Sequence, residues 1–160
     1  MSNHTQDGAQ PGNSGGRKLG LPMIGIIALA LLAVPRVVLH DLGVITEGTW
    51  VNAIFVFVPP LIWIAVMAWW RVSNPILTLV AVGACYGVFL AIGHQLLWHI
   101  GTSGQAPRLG GNLSGIDPGV QELIVRFLAS VSSLVTGAVV GVIAGLLAWG
   151  LQAGKRWITR

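Results

Sequence analysis

SVSSLVTGAVVGVIAGLLAWG, residues 130–150, runs for 21 residues without a charge. A helix rises 1.5 Å per residue, so this stretch covers about 30 Å, the thickness of a bilayer's hydrocarbon layer. Its small residues fall at a fixed interval. Ala129, Ser133, Gly137, Gly141 and Gly145 recur every four positions, which places them on one helix face. A stripe of that kind lets another backbone come close and gain dispersion contacts that lipid cannot match. Gly83, Gly87 and Ala91 repeat the pattern earlier in the chain. Two occupants fit such faces: a second copy of the protein, or the two stripes packed against each other within one chain.

Three further apolar stretches lie upstream, and composition explains why they belong together. Of 160 residues, 54% are hydrophobic and 9% charged, whereas soluble domains carry about a quarter charged residues. The spans read as residues 19–39, 51–70, 76–100 and 120–151. Each is too long and too continuous for a barrel strand, which would alternate apolar and polar positions. The expected architecture is all-α: a compact bundle of four transmembrane helices over 19–151, with a disordered tail at 1–18 and a basic tail at 152–160. The apolar run after the polar tail continues past the length of a secretory signal core, so it is read as a retained anchor. Pro59 and Pro60 fall at the middle of span two and predict a kink, because proline lacks the N–H that would bond the preceding turn; Asn52 is a candidate to satisfy one freed carbonyl. Asn74-Pro75 and Asp117-Pro118 read as helix starts, each a capping side chain followed by proline at the first helical position.

The net charge of +4 does not indicate nucleic acid, since the basic residues are few and scattered around membrane spans. They set orientation instead. Arg17, Lys18, Arg71, Lys155, Arg156 and Arg160 fall on one side if the helices alternate, against Arg108 alone in the opposite loops. The positive-inside bias then places both termini in the cytoplasm. Trp69, Trp70, Trp149 and Trp157 mark the inner boundary, Trp50 and Trp98 the outer one. The excess of arginine over lysine, with abundant Ala, Gly and Val, fits a bacterial plasma membrane. Cys85 is the single cysteine, so no intrachain disulfide forms.

Candidate functional residues collect near the outer edge: Arg36, His40 and Asp41 from span one, His94 and Gln95 from span three, Glu122 and Arg126 from span four. Arg36 lies about 6 Å deep by helix rise. Cα–Cβ bonds lean toward a helix N-terminus, so Arg36 and His94 lean inward and Arg126 leans toward water, where it can snorkel. His94 shares the face of Gly87 and Ala91 and is expected inside the bundle near Arg36, Gln95 and Glu122. Asp41 is expected to be neutralised by Arg36, Glu122 and Arg126 to form a one-turn helix pair, and His99 to sit at the interface. Poorly hydrated polar groups in a membrane need partners, and they also mark ligand sites; both readings stand.

Chemistry narrows less. No strong metal-ligand motif is legible among His40, His94, His99, Asp41 and Glu122, so no metal is assigned. No cofactor is assigned either; a bis-histidine haem would require His40 and His94 to face each other at equal depth. No nucleophile and base set and no phosphate loop appear, so the chain reads as a non-enzyme. RVVLH at 36–40 echoes QLLWH at 95–99, both closing an outward helix of a hairpin, a short similarity consistent with two hairpins of equal orientation. The sequence favours a small accessory or assembly subunit of a membrane complex or homo-oligomer, with lipid and itself or another membrane protein as partners. The alternative is a transporter or small-ligand protein that uses the outer polar cluster.

Topology is testable directly. In variants with one cysteine each, an impermeant thiol reagent added outside cells is expected to label positions 45 and 110 and to spare positions 10 and 158. External labelling at 158 would overturn the assignment.

Overall fold

The computed structural model describes residues 19–102 and 108–158. The expected disordered tail at 1–18 and Arg160 of the basic tail lie outside the described residues. The elements are α1 Met23–Leu31, α2 Val34–Asp41, α3 Trp50–Trp69, α4 Pro75–Leu96, the single turn α5 Trp98–Gly101, a 3₁₀ turn at Gly111–Leu113, and α6 Pro118–Ile158. No strand occurs among the described residues. Four segments are long and apolar enough to cross a membrane: α1 with α2 (Met23–Asp41), α3, α4 and α6 up to Lys155. The chain is an all-helical multi-pass membrane protein by length and composition.

Span one is two helices, not one. Pro35 sits in the first turn of α2 and cannot donate to the carbonyl four residues back. The chain tightens at the junction, with Leu32 N–H bonding Leu29 O (3.2 Å) and Ala33 N–H bonding Ala30 O (3.2 Å). The Leu29 carbonyl also accepts the indole N–H of Trp63 at 2.8 Å. Trp63, on α3, is fully buried, so a side chain of span two seals the break in span one. α3 itself runs unbroken through Pro59 and Pro60. Asn52 does not serve those prolines; its Oδ1 accepts from Arg36 Nε at 3.2 Å.

The starts of α4 and α6 follow their capping residues. Asn74 Oδ1 accepts from Leu77 N–H at 3.3 Å, and Asp117 Oδ1 accepts from Gly119 (2.9 Å) and Val120 (3.3 Å). α6 extends for 41 residues, about 60 Å at helical rise and twice what a bilayer core requires. At one end of the bundle Gln152 of α6 donates to Met67 O (2.8 Å) and Val72 O (3.4 Å), fastening the turn that links α3 to α4. Arg71 in that turn holds a left-handed backbone (φ 48°), a position usually given to glycine.

Contacts between α4 and α6 make up the tightest seam, and the small residues explain it. A Cβ built on Gly83 would fall on the Gly137 carbonyl oxygen and lie 2.8 Å from Gly141 Cα; one on Gly87 would lie 2.9 Å from Ser133 O. Reciprocally, a Cβ on Gly137 would lie 2.6 Å from Gly87 Cα, and one on Gly145 2.9 Å from Ile76 Cα. Rising numbers on α4 meet falling numbers on α6, so the helices are antiparallel with backbones in direct contact. Both stripes are filled by each other within one chain. α1 packs on the other side of α4, and Ile26, Trp63, Met67, Leu79 and Val82 form the buried centre.

Gly141→Ala is expected to destabilise the protein by about 1–3 kcal/mol, the usual cost of overpacking. Gly150→Ala meets open space and is expected to be neutral or to stabilise slightly, since alanine is the better helix former. Reversible unfolding in detergent micelles measures both, and equal effects would contradict the seam.

Candidate functional site

The polar residues that the sequence assigns to the outer edge form two separate joints. The first belongs to α2 and α4. Asp41, at the end of α2, accepts from His94 Nδ1 at 2.7 Å, and its side chain is only 9% exposed. A carboxylate is acceptor-only, so this bond places the proton on His94 Nδ1. His40 Nδ1 approaches the other Asp41 oxygen at 3.4 Å, and its Nε2 lies 3.6 Å from Glu47 Oε1. The two histidines therefore converge on one carboxylate. That is not the facing pair a bis-histidine haem needs. Among the described residues no group of three or more His, Cys, Asp or Glu side chains is disposed to hold a metal ion.

The second joint belongs to α4 and α6. Arg126 Nε donates to Gln95 Oε1 (2.8 Å), Nη2 to the Gln95 carbonyl (3.2 Å) and Nη1 to Glu122 Oε1 (3.3 Å). Gln95 Nε2 answers with bonds to the Arg126 carbonyl (3.0 Å) and Ser130 Oγ (2.9 Å). The guanidinium carbon lies 5.4 Å from the centre of the Trp98 ring, within cation–π range. Arg126 is thus bound to its neighbours while its side chain stays 29% exposed. An amide carrying both donor and acceptor at the facing turn of α4 holds it. Trp98, expected to mark the outer boundary, is buried beneath it, and His99 is exposed.

Arg36 belongs to neither joint. Its Nε donates to Asn52 and Tyr86 of α4 lies beside it, so α2, α3 and α4 meet around it. Asp41, the carboxylate nearest in sequence, faces the histidines instead. Arg36 and His94 still share one feature: both line a cleft of about 310 Å³, with Trp98 on one side and Ser132, Ser133 and Thr136 of α6 on the other. Ser133 is occupied with the Ala129 carbonyl (2.8 Å).

Three polar contacts escaped the sequence reading. Asn52 and Tyr86 carry no motif, and only the fold brings them to Arg36. Gln121, 5% exposed, holds the loop before α6, accepting from Leu109 N–H (2.8 Å) and donating to Ile116 O (2.7 Å) and Ser114 O (3.3 Å). Gln152 works the same way at the far end.

The chemistry of this end is that of paired and bridged polar side chains in a small helical membrane protein. No family model, curated protein or solved structure matches the chain.

A double-mutant cycle separates the joints. Asp41→Asn with His94→Gln is expected to couple by about 0.5–2 kcal/mol, as contacting residues do, whereas Arg36→Gln with His94→Gln should be additive within about 0.5 kcal/mol. Strong coupling of Arg36 to His94 and none of Asp41 to His94 would contradict this geometry.

Proposed function

We propose that the protein is an accessory or assembly subunit of the plasma membrane, with both termini in the cytoplasm, that works by binding another membrane protein or copies of itself. The observation that carries this reading is a groove between α3 and α6 that no described residue fills. It has a volume of about 630 Å³ and is walled by Leu61, Ile64, Leu146, Leu147 and Leu151. Gly150 and Gly154 line it one turn apart, and a Cβ at either meets nothing within 4 Å. Glycines 83, 87, 137, 141 and 145 are all in contact with the facing helix. Gly150 and Gly154 repeat the same spacing with no described residue packed on them, and small residues four apart are what a partner helix uses for close approach.

The polar side chains support the same reading, because most of them hold helices together. Asp41 with His94, Gln95 with Arg126, and Gln152 with Met67 and Val72 each bind one span to another. Such joints give a rigid body that can present a lipid-facing groove. The ligand-binding alternative is favoured by one observation, the cleft at Arg36.

Cross-linking in intact membranes, followed by mass measurement after gentle solubilisation, tests the assembly reading. The expected result is a species larger than one chain, reduced several-fold by Gly150→Leu. Recovery of the single chain alone, before and after cross-linking, would contradict it.

A further inference from the structure

We propose that the cleft at Arg36 is a binding site for a phosphate-type oxyanion carried by an anionic membrane lipid or by a small soluble anion. The inference is independent of the assembly reading and starts from charge. An arginine within a membrane span is costly unless something compensates it. Among the described residues Arg36 makes no ion pair. The nearby acids are engaged elsewhere: Asp41 by His94 and His40, Glu47 by His40, Glu122 by Arg126. Its hydrogen-bond partner Asn52 and its neighbour Tyr86 are neutral groups, which leave its charge uncancelled. A guanidinium has five N–H donors in a planar fork, so donors remain after those two contacts, and their geometry suits phosphate oxygens.

The surroundings match that ligand. The cleft of about 310 Å³ joins Arg36 to the hydroxyls of Ser132 and Thr136 across the gap, both exposed, and to the buried Trp98. Leu90 and Ala129 supply an apolar wall. A charged fork and hydroxyls over an apolar wall suit a headgroup at the edge of the hydrocarbon layer. His94 contributes a ring already fixed by Asp41. The acid that would repel an anion is thereby turned away and bonded, its side chain 9% exposed.

The test uses the full chain in nanodiscs or a neutral detergent. Retained lipid is counted by native mass spectrometry, and thermal stability is followed on adding phosphatidylglycerol, phosphatidylcholine or inorganic phosphate. The expected result is preferential retention of phosphatidylglycerol, at least ten-fold over phosphatidylcholine, with a rise in melting temperature. Arg36→Gln should abolish the preference and Arg108→Gln, in the exposed loop, should keep it. Thr136→Leu narrows the cleft without touching Arg36 and should also abolish it, which covers the case in which Arg36→Gln fails to fold. A response to inorganic phosphate that is lost in Thr136→Leu supports the same site with a soluble anion as its ligand. No preference for phosphatidylglycerol together with no response to phosphate would overturn the proposal. So would a preference or response that survives in Thr136→Leu.

Discussion

Backbone contact between α4 and α6 is the constraint on which the rest of the molecule depends. Where Gly83 and Gly87 meet Gly137, Gly141 and Ser133, no side chain separates the two helices. In lipid no hydrophobic driving force pulls apolar helices together, so close packing and hydrogen bonds must do so. Each missing Cβ lets main-chain atoms of one helix touch those of the other along several turns. A polar clamp at its end fixes the register. With Gly83 against Gly137, Gln95 arrives opposite Arg126 and Ser130, and the amide–guanidinium clamp closes. A slide of one turn would still set small residue against small residue along the repeating stripes, but it would unpair the clamp.

Against that rigid pair the other two spans are arranged by individual polar contacts. Trp63 of α3 bonds the Leu29 carbonyl just before the break at Pro35 in span one, so the turn at the break becomes an attachment for another helix. Asn52 receives Arg36, Asp41 receives His94, and Gln152 closes the opposite end on Met67. These bonds are few, but polar groups in a membrane interior lack water as an alternative partner. The same economy leaves one group partly answered. Arg36 is held by neutral neighbours while the acids around it serve histidines and Arg126, and that imbalance gives the cleft its chemical character.

Much of the fold was legible because the signals were one-dimensional. Span length, Asn74-Pro75, Asp117-Pro118 and the four-residue glycine interval depend only on local sequence, and α4 and α6 begin where those residues place them. Which surface would fill the glycine stripe was not legible, since a face that suits a second copy equally suits a neighbouring span. Pro35 shows a different limit. Pro59 and Pro60 lie inside an unbroken α3, whereas Pro35, close to the end of its span, marks an interruption. At the polar end the sequence pairs Glu122 with Arg126, as the structure does, but gives Asp41 to Arg36, where the structure gives it to His94. Asp41 at the end of its helix suggests Arg36 as the neutralising partner, but pairing is set by what the facing helices bring. Gln95 stands opposite Arg126, and Asn52 and Tyr86 stand around Arg36.

The central claim is that the glycine seam joins two helices of the same chain. Magic-angle-spinning NMR on protein in lipid bilayers, labelled with ¹³C at glycine Cα, reports on it directly. The account predicts interhelical cross-peaks linking Gly83 and Gly87 with Gly137 and Gly141, at unchanged relative intensity when labelled protein is diluted into an excess of unlabelled protein. Cross-peaks that fade on dilution would place the contact between copies and contradict the account, as would their absence at any dilution.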